Sequence, residues 1–171
     1  MPNRHLIRSV AIAATVAVSS AAVAQEPPGP LADAVRAATE KYKDPAAAVA
    51  DGYAPMPCVS GPASGAMGIH YVNVTYLEDG EIDVARPEAL MYEPLADGTL
   101  ELLGVEFITF TGPTVLHGHL FHLVGAPNRY GLDPFYELHV WAWRPNPSGT
   151  FADFNPAVSC DAMAGDADMA H

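Results

Sequence analysis

The spacing of apolar positions divides the chain into two regimes. Leu31, Ala34, Val35, Ala38 and Tyr42 recur at helical intervals and predict one apolar helix face over residues 31–43. Pro30 suits the start of that helix. Asp33 falls in its first turn and Lys41 and Lys43 in its last, which complements the helix dipole. Asp44-Pro45 restarts a second, short helix over residues 46–50, which Gly52 ends. The Gly-, Pro- and Ser-rich stretch 53–68 reads as loop. From Ile69 the apolar period changes to two. Strands are predicted over residues 69–77, 88–93, 100–110, 115–124 and 136–144, with turn signals at Asp79-Gly80, Asp97-Gly98 and Gly112-Pro113. Two helices ahead of turn-linked strands predict an α+β fold, with two N-terminal helices packed on a mainly antiparallel β-sheet. The alternative is a β-sandwich or barrel with external helices. The stretch 146–160 is irregular, but Phe151 and Phe154 are expected to pack back on the sheet. Residues 161–171 are polar and acidic, and a disordered tail is expected there.

Residues 1–24 carry a different pattern. Arg4 and Arg8 form a positive n-region, residues 6–23 an apolar h-region, and Ala22-Val23-Ala24 a small-x-small cleavage site. These features predict a signal peptide, and with it a periplasmic or secreted protein. The remainder, 25–160, is expected to be a single α+β domain. No later apolar stretch reaches the length of a membrane span, so no membrane contact is expected after cleavage.

Charge narrows the partners. The formal net charge is −12, and losing Arg4 and Arg8 with the leader makes it more negative still. Such a surface repels a phosphate backbone, so nucleic acid is excluded as an expected partner. The sequence names no small-ligand or protein partner. Cys58 and Cys160 are the only cysteines, and in an oxidising compartment the pair reads as a disulfide. Closing a loop of about 100 residues stabilises by roughly 4–5 kcal/mol in the chain-entropy model.

Several segments stand out as motifs: Asp51-Gly52-Tyr53, Gly65-Ala66-Met67-Gly68-Ile69-His70-Tyr71-Val72-Asn73, Pro87-Glu88-Ala89-Leu90-Met91-Tyr92-Glu93, and Gly104-Val105-Glu106-Phe107. Leu138-His139-Val140-Trp141-Ala142-Trp143 follows, with Asn146-Pro147-Ser148-Gly149 and Asn155-Pro156-Ala157-Val158-Ser159-Cys160 behind it. Together they resemble a family of small secreted proteins known as hypothetical exported proteins. The resemblance covers most of residues 31–160. It implies an exported, disulfide-closed α+β protein and brings no activity with it.

The candidate chemistry lies in the histidines. One set is His70, Glu106 and His139, one from each of three predicted strands, a 2-His-1-carboxylate combination. A second set is His117 and His119, two apart and therefore on one side of a strand, with His122 close by. Either could hold Zn, Cu or non-haem Fe. The competing account is that these histidines are buried structural groups or sit on a wet rim. Tyr71, Tyr92, Trp141 and Trp143 offer an aromatic face for a planar ligand, against the commoner account that such residues are core. On the strand 136–144, alternation places His139 on the same side as Trp141 and Trp143. Glu93 could pair with Glu106, and Met163, Met169 and His171 could offer copper ligands in the tail. No G-x-S-x-G elbow or phosphate-binding loop is present.

Three functions follow: a binding module that holds a divalent metal or a small ligand, a metal-dependent hydrolase or oxidoreductase with Glu93 or Tyr92 handling protons, and a structural or interaction domain with incidental histidines. The first is the leading expectation. Whether the chain is an enzyme is left open by the sequence.

Overall fold

A computed structural model describes residues 29–61, 63–128 and 130–164. Residues 1–24, where a signal peptide is expected, and the tail residues Met169 and His171 lie outside the described residues. Among the described residues, no helix is long and apolar enough to cross a membrane.

The structure is mixed α/β, with few short helices and a mostly antiparallel sheet. Helix α1 (Pro30–Thr39) turns its buried Leu31, Ala32 and Val35 into the larger apolar core. It does not run on to residue 43 as one α-helix. The chain tightens into a 3₁₀ turn (Glu40–Lys43) before α2 (Pro45–Ala50), whose first turn is capped by Asp44 accepting from the Ala46 N–H at 2.9 Å.

The main sheet has seven strands. Its spatial order is β1 (Ala54–Pro55), β3 (Gly65–Val72), β4 (Ala89–Pro94), β5 (Leu100–Thr109), β9 (Phe135–Val140) and β8 (His122–Val124), with β2 (Val59–Gly61) also pairing to β3. Each pairing is antiparallel. A separate two-stranded hairpin joins β6 (Val115–Leu116) to β7 (His119–Leu120). Neither a sandwich nor a barrel forms among the described residues.

Register fixes what each face carries. Leu90, Val105 and Val140 are cross-strand partners, and with Phe107 and Leu138 they build the larger core under α1. Ala89, Glu106 and His139 form the next row and point to the opposite face. His70, Met91 and Gly104 form the row beside it. Farther along that face, Met91, Leu103 and Trp141 join Ala66 and Val158 in a smaller core. A side chain at Gly104 would run into the Val140 carbonyl, so β5 and β9 approach there only because the residue is glycine.

Several expected elements differ. The loop assigned to residues 53–68 contains β1, β2 and the start of β3. The strand expected over 69–77 stops at Val72, and Val74–Asp79 is helix α3. The cause is Asn73, whose side chain accepts from the Thr75 and Tyr76 N–H groups, while Gly80 closes the helix in the left-handed conformation. The strand expected over 115–124 is broken. His117 and Gly118 both take positive φ (49° and 85°), which makes a two-residue hairpin turn, and β8 begins only at His122. The strand expected over 136–144 ends at Val140. The first residues of the expected disordered tail form a short helix, α4 (Asp161–Ala164).

Cys58 and Cys160 form a disulfide across 102 residues of sequence. It ties the C-terminal segment to the chain just ahead of β2. A bridge between Ala66 and Asn155 secures the same segment against β3.

Candidate metal centre

The polar face of the sheet brings His70, Glu106 and His139 together. Glu106 on β5 is the direct partner of His139 on β9. His70 lies two strands away on β3, but the intervening β4 position opposite Glu106 is Ala89, which offers only a methyl group. His70 can therefore reach across, and its Nε2 stands 3.3 Å from Glu106 Oε2. His139 Nε2 stands 4.0 Å from Glu106 Oε1. The two imidazoles meet edge to face at 82°, with ring centres 6.0 Å apart. One ligand atom from each of the three lies within 4.8 Å of the others. All three residues are almost fully buried: His70 and Glu106 are 3% exposed and His139 0%.

In a four-coordinate site with bonds of about 2.0–2.2 Å, ligand atoms lie roughly 3.3–3.6 Å apart. The His70–Glu106 spacing already matches this, and the His139–Glu106 spacing exceeds it by a few tenths of an ångström. Small side-chain adjustments would close the set around an ion.

A second group adjoins the first and shares His139. Glu137 lies two residues before His139, so the pleat puts both on one face. His122 on β8 is the direct partner of Glu137. Asp153 comes from the irregular segment after the sheet. That segment is held in place on both sides of Asp153: Trp141 Nε1 donates to the Ala152 carbonyl at 2.5 Å, and Asn146 Nδ2 to the Phe154 carbonyl at 3.0 Å. His122 Nε2 stands 2.9 Å from Asp153 and 3.3 Å from Glu137. His122, Glu137, His139 and Asp153 again place one ligand atom each within 4.8 Å.

Burial and charge set the protonation. Burial pushes the Glu106 carboxyl well above its usual range, and the neighbouring Glu137 carboxylate pushes it further the same way. For Glu137 burial also acts upward, but the hydrogen bonds with His122 and Glu106 outweigh it and hold it below the usual range. The close ion pair with Asp153, followed by the hydrogen bond to Glu137, pushes His122 up to about 10. Asp153 is held below the ordinary carboxylate range, first by His122 and then by the His139 ring behind it. Three carboxyl groups thus crowd a largely buried spot in which His122 is the paired cation.

An apolar cavity of about 240 Å³ opens on the first group. His70 and Glu106 line it together with Met56, Leu77, Ile108 and Phe135. Apart from Tyr130, the rest of its wall is aliphatic.

The other expected sites disperse. The proposed trio of His117, His119 and His122 does not assemble. His117 occupies the exposed hairpin turn, and His119 packs against the Phe151 ring at 3.9 Å between centres. Among the described residues, neither joins a metal-capable group, and His122 belongs to the second group instead. The aromatic face also separates. Tyr92 and Trp141 are buried in different cores, and Tyr71 packs edge-on against Tyr92. Trp141 keeps the His139 side of the sheet, but the chain turns at Val140, so Trp143 packs against the larger core and donates to Thr39 Oγ1 at 3.0 Å.

Glu93 does not pair with Glu106. It accepts from the Ser159 N–H at 3.0 Å and stands 3.5 Å from Arg144. The Tyr92 hydroxyl donates to the Tyr42 carbonyl at 2.6 Å in the larger core. Neither group therefore has its polar atoms engaged at the His70–Glu106 pair, where the neighbouring acidic group is Glu137.

Sequence reasoning missed Glu137 and Asp153. The first had a readable signal, since Glu137-x-His139 on a strand aims both side chains the same way. The second had none, because the segment carrying Asp153 is positioned by Trp141 and Asn146 and not by any periodicity. No family model, curated protein or solved structure matches the chain.

Proposed function

We propose that this chain is an exported binding module that holds a divalent metal ion, Zn, Cu or Fe, through His70, Glu106 and His139. The observation that carries this reading is the convergence of two buried imidazoles and a buried carboxylate on one sheet face, at near-ligand spacing. Burying such groups is costly unless they are paired or coordinate a cation, and three strands cooperate to bury these. The disulfide is consistent with an oxidising compartment, and so with the signal-peptide reading and with the likeness to small exported proteins. We also read residues 25–160 as one domain, with the N-terminal helices covering the face of the sheet opposite the site.

The test is elemental analysis of the tag-free mature protein beside Glu106→Gln and His139→Ala variants, with far-UV circular dichroism to check folding. A stoichiometric ion in the parent, lost in folded Glu106→Gln, supports the reading. A parent that is isolated metal-free and binds no added Zn(II), Cu(II) or Fe(II) overturns it and leaves a structural or interaction domain.

One observation favours the second reading, a metal-dependent hydrolase or oxidoreductase. The apolar cavity reaches His70 and Glu106, so a small molecule could approach the ion from that side. Azide added to the Co(II)-loaded protein separates the two. A changed visible spectrum indicates an open coordination position, and an unchanged one a closed binding site.

A further inference from the structure

We infer that His139 is a bridging ligand between two divalent cations. Its Nε2 binds the ion held with His70 and Glu106, and its Nδ1 binds a second ion held with His122, Glu137 and Asp153. The inference rests on the metal reading of the first group.

The two nitrogens of one buried ring face two different ligand sets. Nε2 looks toward Glu106 at 4.0 Å. Nδ1 looks toward Glu137 at 3.9 Å and Asp153 at 3.6 Å. These distances lie beyond hydrogen-bond range, and among the described residues neither nitrogen has a hydrogen-bond partner. A buried imidazole ordinarily donates from one nitrogen and accepts at the other. His139 does neither, although it is fully buried with a carboxylate oxygen on each side.

Charge points the same way. The two groups together contain Glu106, Glu137 and Asp153, which are three negative charges once Glu106 ionises. A bridging imidazole has also lost its ring proton and adds a fourth. Two divalent cations balance these four. On loading, the His139 ring proton and every proton held on the other ligand atoms pass to solvent. His122 and Asp153 are partly exposed, so the second ion has a route in from the surface. With metal–nitrogen bonds of about 2.0 Å on both sides of the ring, the ions would sit roughly 6 Å apart.

Cu(II) added to the metal-free mature chain tests this, read by elemental analysis and low-temperature electron paramagnetic resonance. The expected result is two copper ions per chain, with spin intensity falling well below two isolated spins as the second ion binds, because an imidazolate couples the pair. His122→Ala combined with Asp153→Asn removes only the second group. It should bind one copper with a full isolated spin. One copper per chain in the parent, retained in the double variant, would leave the first site standing and overturn the bridge. Two coppers with two full, independent spins would also overturn it. No copper in either protein would overturn the bridge, and a parent that also binds neither Zn(II) nor Fe(II) would overturn the first site with it.

Discussion

Glu106 and His139 face each other directly across the β5–β9 ladder, with Glu106 Oε1 4.0 Å from His139 Nε2. In most sheets such a position on a buried face is taken by an apolar pair that contributes to the core. Here an acid and an imidazole occupy it, beside rows of aliphatic and aromatic residues. The same strands that build the larger core with Val105, Phe107, Leu138 and Val140 therefore hold Glu106 and His139 on the reverse side. The stability of the core and the geometry of the site are consequences of one register.

The disulfide should matter to stability. Cys58–Cys160 encloses β2 through β9, and removing a bridge of this kind typically costs about 2–5 kcal/mol. Thermal melts with and without reductant should show a clear fall in Tm. An unchanged midpoint would mean that the bridge constrains neither state.

Glu88 should give the stability a pH dependence. It is fully buried, and burial pushes its carboxyl up to about 7 even though Oε2 accepts from the Ile108 N–H at 3.0 Å. Between its ordinary value of 4.5 and about 7, the folded chain holds a proton that the unfolded chain has released. Its contribution to stability is therefore complete below 4.5, falls as pH rises through that window and levels off above it. The full effect is on the order of 3 kcal/mol. Urea melts at pH 5 and pH 8 should show Glu88→Gln losing most of this slope and gaining on the parent at the higher pH.

In the metal-free protein, His122 should remain protonated at neutral pH. Its ion pair with Asp153 and its hydrogen bond to Glu137 push it up to about 10. A proton NMR titration should place its midpoint far above those of ordinary histidines. Asp153→Asn should bring it substantially back, and a normal midpoint in the parent would contradict the pairing.

Tyr92→Phe should separate structure from site. It leaves the Tyr42 carbonyl without its buried donor, a loss of about 1–3 kcal/mol in unfolding free energy. Metal stoichiometry should not change, because the hydroxyl points into the larger core. A loss of metal would return Tyr92 to the site.

Gly104→Ala should be among the more damaging small substitutions. The added methyl would collide with the Val140 carbonyl and push β9 from β5. Overpacking of this sort costs about 1–3 kcal/mol, and the displaced strand carries His139. Both the melting temperature and the metal content should fall.

Local pattern carried part of this arrangement. Period-two alternation is enough to put Glu106 and His139 on strands, because 100–109 and 135–140 are long and apolar on one side. It fails where a single residue redirects the backbone. Asn73 converts the end of a strand into a helix through two side-chain hydrogen bonds. His117-Gly118 folds a hairpin where alternation alone sees a continuous strand. The contribution of Asp153 lies beyond local pattern altogether, since it depends on where Trp141 and Asn146 anchor an irregular loop.

The anchoring of that loop has a temporal consequence. His70 is made early in the chain and Asp153 near its end, behind nearly every strand. A nascent polypeptide can present the histidines of the sheet but not the completed cluster. Were a cation to use the whole cluster, it could do so only after residue 153 has emerged, and a chain clipped ahead of residue 150 would lack Asp153 and the Cys160 half of the disulfide together.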